Sequence, residues 1–521
     1  MAAPHPGKWE LVEQNAQVNA THAILLHTGK VLYFRSSSPR PDGTSESRLW
    51  DPSTGTITTQ IIPKWPAPPN GVDPPLLFCS GHCALPDGKI LVAGGHRQPP
   101  QEEANGQFRG LKYTYIFDPV SESWAPAGTQ QDSHEMADGR WYPTVTALGE
   151  PRDDPLGRRA VAMSGYRRDF GGGGQSVVND DPETYSLLPP PGGGWSLMRD
   201  PEAAKQPFTS LYPGAHVVPQ GSYAGKIFYS MPMAQAYIFD PFADVGETVW
   251  TPIASPRSQV RGAGSSVLLP IRPGKNDAKV LIIGGGNPAV NTMEIIDLND
   301  PSGPTWKYTE SMFFTRRNSN AVLLPDGKIL IIGGHRYSEP DVGHHDPYYA
   351  AELFDPEAEK LTTLCEMSIP RVYHSTAVLL PDGRVWVSGG EIPVGYTGST
   401  LNIEVFSPGY LFEGERPVIQ SSPSDISYGK PFSINTSLPV SSVVLIRPNS
   451  ITHAIDMEQR YVELTIQSSQ TNGGYTYDVL APADANIAPP GYYLLFVLGQ
   501  KAASTSGKTA IPSVAKWVKL S

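Results

Sequence analysis

The sequence predicts an all-β chain in two parts, a seven-bladed β-propeller followed by a smaller Ig-like β-sandwich. Three observations predict it. A strand–turn–strand unit recurs along about four-fifths of the chain, further strands follow each copy, and the repetition ends near residue 413.

The clearest copies are ALPDGKILVAGGH (84–96), LLPDGKILIIGGH (323–335) and LLPDGRVWVSGGE (379–391). Each joins an apolar strand through a Pro-Asp-Gly turn to a second strand running into a glycine pair, the pattern of a β-hairpin. Weaker copies stand at 24–35, 145–166, 216–231 and 266–287, the longer ones carrying insertions at the turn. Seven hairpins about 50 to 70 residues apart lie close to the kelch period. A third strand ending in a turn follows, as in TYIFDP (114–119), AYIFDP (236–241) and AELFDP (351–356). A fourth strand carries Trp124, Trp195, Trp250 or Trp306. Four strands make one blade, and seven blades close a ring.

The seventh unit has IEVFSP (403–408) and no Trp-bearing strand after it, whereas KWELVE (8–13) is an unpaired strand at the amino end. Pairing the two closes the ring and removes an exposed sheet edge. The other arrangement of the same strands, an open sandwich, does not account for the sevenfold repetition. Beyond the repeats, SVVLIRP, YVELTIQ, TYDVLAP and YYLLFVLG read as short strands of a small antiparallel sandwich. The expected domains are therefore a propeller over 8–412, carrying most of the functional site, and a sandwich over 413–521.

Composition narrows the function. Gly (51) and Pro (53) make up about a fifth of the 521 residues, which suits many tight turns. A formal charge of −11 offers no basic stripe for phosphates, so neither nucleic acid nor an anionic membrane surface is an expected partner. No run of about 20 apolar residues is present to span a bilayer, and residues 1–8 lack the basic-then-apolar pattern of a secretory signal. Three cysteines are too few for a disulfide scaffold, and Cys83 and Cys365 are expected as small buried hydrophobes.

Propellers host unrelated activities, so function has to be argued from a site. Register supplies one. Cys79 lies seven residues before the turn proline Pro86, His374 seven and Tyr373 eight before Pro381, and Tyr142 seven before Gly149 at the matching point of its longer hairpin. All four start an innermost strand from the same end, so they converge at one mouth of the axis. Imidazole and phenolate are nitrogen and oxygen donors suited to a tetragonal Cu(II) centre, whereas zinc draws on several thiolates or histidines. Taken singly, the tyrosines read as core aromatics and Cys79 as a buried thiol; together they read as a metal site.

Four segments carry a resemblance. FCSGHCALPDG (78–88), RWYPT (140–144), RVYHSTAVLLPDGRV (371–385) and ITHAIDMEQR (451–460) resemble, in order, the signature segments of the galactose oxidase and glyoxal oxidase family of copper radical oxidases, and PPGYYLLFVLG (489–499) resembles that family's terminal domain. The likeness runs from Trp9 onward, without a counterpart of the galactose-binding domain that precedes the propeller in galactose oxidase. It implies one copper ion held by Tyr142, Tyr373, His374 and His453, with Cys79 joined to Tyr142 by a thioether as the radical-bearing, protein-derived cofactor. His453 rests on the resemblance alone and is expected from a hairpin of the terminal domain. The implied reaction is a two-electron oxidation in which Tyr373 takes a proton, Tyr142 takes hydrogen from the adjacent carbon, and dioxygen leaves as hydrogen peroxide.

The stretch SGYRRDFGGG (164–173), where galactose oxidase has a stacking tryptophan, contains none, leaving Tyr166, Arg167 or Phe170 for that place. The insertion after the sixth hairpin lacks the phenylalanine of a galactose pocket. Both departures favour small aldehydes, reacting as hydrates, or α-hydroxy carbonyls. A primary-alcohol or sugar oxidase is the alternative within the class, and a non-catalytic kelch interaction module the alternative outside it. The expected partners are a small aldehyde or alcohol and dioxygen, met by a monomer. Family members are usually exported, and the absence of a signal pattern leaves localisation open. His82 and His134 are expected as pocket-lining or structural residues, His344 and His345 as part of a solvated loop with shaping of the substrate entrance as the alternative, and Gly171 to Gly174 as a mobile loop rather than a phosphate loop.

Overall fold

The computed structural model describes residues 5–65, 76–97, 107–128, 134–149, 154–170, 176–188, 193–207, 210–253, 260–339, 343–470, 474–500 and 510–521. Seven antiparallel sheets, each with a run of four blade strands, form the propeller. Their innermost strands are His22–Leu25, Gly81–Ala84, Thr144–Ala147, Gly214–Val217, Ser265–Leu268, Arg317–Leu323 and Ser375–Leu379. The Pro-Asp-Gly hairpins close alike: the amides of Gly88, Gly327 and Gly383 each donate to the leucine carbonyl three residues back at 2.9 Å. Each of these glycines has φ between 80° and 88°, which a side chain at that position would strain. Trp124, Trp195, Trp250 and Trp306 lie on outermost strands.

The ring closes as expected. Lys8–Asn15 pairs antiparallel with Asn402–Ser407, Trp9 opposite Phe406, and completes the seventh blade. Trp9 Nε1 also donates to the Cys365 carbonyl at 3.1 Å, fastening the closing strand to the sixth blade.

A repeated charge pair, not singled out from the sequence, braces four blades. Arg140, Arg261, Arg316 and Arg371 stand just before their inner strands and pair with Glu183, Glu294, Glu352 and Glu404 on third strands, every side chain at most 1% exposed. Each guanidinium also donates to a carbonyl on the second strand or just past it, on Ser164, Gly284, Gly333 and Gly389 respectively. These carbonyls help to satisfy the buried ion pairs, although Nε of Arg140, Arg261 and Arg371 has no acceptor.

Beyond residue 413 the strands form the sandwich. The long strand Arg460–Gln470 passes from one face to the other: 460–464 pairs with Val440–Arg447, and 465–470 with Tyr475–Leu480. This region also plugs the axis. Inner strands of a propeller leave one edge unpaired, and buried backbone groups there need partners. The hairpin strand Ser450–Thr452 pairs with His22–Leu25 of the first blade. Arg447 donates to the Ala84 carbonyl, Arg460 to Val217, and Gln459 to Ala321. Gln459 also accepts from the Leu323 amide, and Asn449 from the Leu379 amide. Five blades are thereby stitched to a segment of fourteen residues, 447–460.

Cys83 is fully buried as expected. Cys365 is only half-buried, because its strand Lys360–Glu366 is the outermost of the sixth blade. The glycine run at 171–174 lies outside the described residues.

Candidate metal centre

One backbone feature sets the site. In six consecutive blades the residue leading into the inner strand adopts a left-handed conformation: Cys79 (φ 57°), Tyr142 (68°), Tyr212 (43°), Ala263 (59°), Asn318 (55°) and His374 (67°). Such a kink costs a non-glycine residue about 1–2 kcal/mol, and non-glycine strain of this kind is typical of functional sites. The consequence is a ring of side chains at one mouth. Register alone therefore brings Cys79, Tyr142 and His374 together, and adds Tyr212, which the sequence reading missed although its offset before Gly214 matches.

His453 reaches the ring by another route. It and Ala454 are the two central residues of the hairpin turn between Thr452 and Ile455, at φ 53° and 68°. Both angles positive define a type I′ turn, normally the province of glycine and asparagine. The turn sits at the end of the strand paired to the first blade, which carries the imidazole to the mouth of the ring.

The side chains converge tightly. His453 Nε2 lies 3.0 Å from His374 Nε2 and 3.3 Å from Cys79 Sγ. Tyr142 and Tyr373 hydroxyls are 3.1 Å apart, and the Tyr142 and Tyr373 rings stand 5.1 and 5.2 Å from the His453 ring. Among the described residues, Cys79, His374 and His453 are the group whose His/Cys/carboxylate donor atoms lie within 4.8 Å of one another.

Hydrogen bonding shows what the two imidazoles present. His374 Nδ1 meets the Glu391 carboxylate at 2.7 Å, so it carries the proton. Thr452 Oγ1 donates to the Thr21 carbonyl at 2.8 Å, so it accepts from His453 Nδ1 at 2.5 Å. Burial lowers the pKa of both imidazoles, His453 well below its ordinary value, and keeps them neutral. Each Nε2 is then a bare lone pair, and the two face each other at contact distance. Two lone pairs so placed repel unless a cation lies between them. Their Nδ1 partners are the supports that fix the tautomer of a metal-binding histidine. Burial likewise pushes the Tyr142 and Tyr373 phenols and the Cys79 thiol up, so phenolate forms here only with a cation beside it. The donor set fits a divalent ion of tetragonal preference.

The ring opens into a cavity of about 600 Å³ lined by Trp141, Tyr142, Tyr212, Arg317, His344 and Tyr373 among others. The loop expectation for His344 and His345 is corrected. Gly343–Pro347 is a strand paired with Ile329–Glu339, an extension of the sixth blade, because alternating register lets Tyr337 stack on His345 at 4.6 Å. His344 faces the cavity, 5.6 Å from the Tyr373 ring. His82 and His134 do not line it: His82 bonds Ser450 and His22, and His134 the Tyr185 hydroxyl. The ring beside Tyr142 is Trp141, its immediate neighbour in sequence, 4.7 Å away, while Tyr166 lines the cavity beyond it.

Comparison with known proteins agrees. The family model for the glyoxal oxidase N-terminus matches residues 195–410, and that for the galactose oxidase-like early set domain matches 416–520. Galactose oxidase of Gibberella zeae is 27% identical over 99% of this chain and 71% of its own length. Aldehyde oxidase GLOX of Vitis pseudoreticulata is 27% identical over 99% and 97%. Among solved structures, a fungal alcohol oxidase in complex with copper superposes with a TM-score of 0.76 at 23% identity, covering 99% of this chain and all of that one. Fold, site and relatives together define a copper-dependent oxidase built on a seven-bladed propeller. From propeller to terminal domain, the chain matches in order the models of the glyoxal oxidase and galactose oxidase-like domains, and it is similar along its length to copper radical oxidases of that type.

Proposed function

We propose that this protein oxidises a small aldehyde, as its hydrate, or an α-hydroxy carbonyl, passing two electrons to dioxygen as hydrogen peroxide. The observation that carries the reading is the pair of imidazole lone pairs meeting at 3.0 Å beside two phenols and a thiol at the floor of one cavity. In this reading Tyr142, Tyr373, His374 and His453 hold one copper ion, and Cys79 forms a thioether with the Tyr142 ring. Residues 8–412 then supply three ligands and residues 413–521 the fourth, acting as a monomer.

Copper, when bound, supplies a one-electron partner and a Lewis acid in reach of the substrate oxygen. The residues do the rest. Tyr373, as phenolate, accepts the substrate hydroxyl proton at Oη. Tyr142 Oη, 3.1 Å from it, takes the hydrogen atom from the adjacent carbon, so proton and hydrogen leave neighbouring atoms of one substrate toward neighbouring oxygens. The Cys79 sulfur, once bonded to the ring, donates electron density and eases oxidation of the phenol. Trp141 packs beside the Tyr142 ring at 4.7 Å and adds an apolar wall to the same cavity.

A primary-alcohol or sugar oxidase using the same residues is the second reading, favoured by the similarity to galactose oxidase. A panel of methylglyoxal, glyoxal, glycolaldehyde, benzyl alcohol and galactose, read by peroxide, separates the two. Turnover of galactose with none of the aldehydes overturns the first.

A further inference from the structure

Among the described residues, the cavity in front of the two tyrosines carries one fixed charge. Its walls are aromatic and aliphatic, with Trp141, Tyr166, Leu211, Met231 and Ile455, and they include no carboxylate among the described residues. Among the described residues, Arg317 is the lining group that carries a permanent charge, in a chain whose formal charge is −11.

Arg317 is unlike the other buried arginines at the blade mouths. Arg140, Arg261, Arg316 and Arg371 each have a glutamate partner. Arg317 has none, and its Nε and Nη1 are buried without a hydrogen-bond acceptor. Its pKa falls with burial, against which the neighbouring Tyr373 acts, yet a guanidinium stays cationic. A planar cation with unmet donors on the wall of a reaction cavity is matched by a carboxylate, which accepts two parallel hydrogen bonds from it.

We infer that Arg317 is a substrate-binding residue that receives the carboxylate of a small acid whose aldehyde carbon, as its hydrate, is presented to Tyr142 and Tyr373. This rests on the oxidase reading and names its substrate class, a 2-oxo acid with an aldehydic carbon. The balance is simple: the hydrate gives up two hydrogens to dioxygen, yielding a dicarboxylic acid and hydrogen peroxide, and the carboxylate held by Arg317 is unchanged. The location supports the geometry, because Arg317 and Asn318 lead the inner strand of the sixth blade and so share the mouth with His374 of the seventh.

The test uses Arg317→Gln and Arg317→Lys in the copper-loaded protein, with glyoxylate as the anionic substrate and methylglyoxal as the neutral one. The expected result is a KM for glyoxylate raised about 10- to 100-fold in Arg317→Gln, the loss of a charge-assisted pair. Arg317→Lys should recover part of it, and KM for methylglyoxal should stay within about threefold, since that substrate places no anion on the guanidinium. A second readout needs no turnover: calorimetric binding of propionate to the copper-free protein, present in wild type and lost in Arg317→Gln. Equal KM changes for both substrates, or no propionate binding by wild type, overturn the inference. Propionate binding that persists in a protein producing no peroxide from any substrate would sink the oxidase reading and leave the anion subsite standing.

Discussion

Replacing Thr452 by valine removes one hydroxyl and tests the tautomer argument at the metal centre. Thr452 is fully buried, and its Oγ1 accepts from His453 Nδ1 at 2.5 Å while donating to the Thr21 carbonyl at 2.8 Å. Valine keeps the shape and leaves Nδ1–H without an acceptor, at a cost of about 1–3 kcal/mol. The imidazole relieves that cost by moving its proton to Nε2, where the His374 lone pair waits 3.0 Å away. In the metal-free protein this creates a new internal hydrogen bond, and copper must then displace a proton to bind. At 1.4 kcal/mol per factor of ten, the expected loss of Cu(II) affinity is about 10- to 100-fold, the range seen when the outer partner of a ligating histidine is removed. Competition titration against a chelator at neutral pH measures it, with Thr452→Ser as the control that restores the hydroxyl. A dissociation constant for Thr452→Val within about threefold of wild type, or a serine variant as weak as the valine, refutes the reasoning.

Three other outcomes follow from the same structure. Incubation with copper and oxygen should lower the intact mass by two hydrogen atoms in wild type and leave Cys79→Ala unchanged, since the thioether needs the sulfur; a loss in both variants places the modification elsewhere. Glu404→Ala strips the charge partner from the fully buried Arg371, whose Nη1 and Nη2 also meet the Gly389, Thr400 and Asn402 carbonyls, and should cost about 3–5 kcal/mol in urea unfolding. A cost under about 1 kcal/mol would mean that water reaches the guanidinium. His82, fully buried, has its pKa lowered by burial to about 3, below the unfolded value of 6.5. The unfolded chain therefore binds the proton first: this stabilising contribution is complete above about pH 6.5 and is lost at about 1.4 kcal/mol per unit as pH falls toward 3. His82→Gln should flatten the acid limb of a stability–pH curve of the metal-free protein by that slope, and an unchanged limb excludes His82 as its source.

Much of this protein was legible in its sequence because repetition averages over local ambiguity. A single LLPDGKILIIGG hairpin says little; seven at comparable spacing require a ring, and the unpaired KWELVE strand identified its closure. The same register placed Cys79, Tyr142 and His374 at one mouth, since equivalent positions of equivalent blades are symmetry mates. What register did not show was the Arg–Glu bracing, although Arg recurs before four inner strands and Glu in ETYS, MEIID, AELFD and IEVFS. Each partner lies tens of residues away, and a lone charge in a strand reads as solvated.

By itself, then, the sequence determined the repeat, its number and closure, and the convergence of Cys79, Tyr142 and His374 at one mouth, all of which depend on local pattern and period. Tertiary structure decided the rest. His453 becomes a neighbour of His374 only because inner strands leave free edges that the 447–460 segment satisfies, a long-range hydrogen-bonding demand invisible in local pattern. His344 turned from loop residue to cavity wall when its strand paired with residues before the insertion, and Arg317 became distinctive only once every neighbouring arginine was seen to have a partner. Burial and proximity, which set the tautomers, the charge of the cavity and the need for a cation, are properties of the assembled fold.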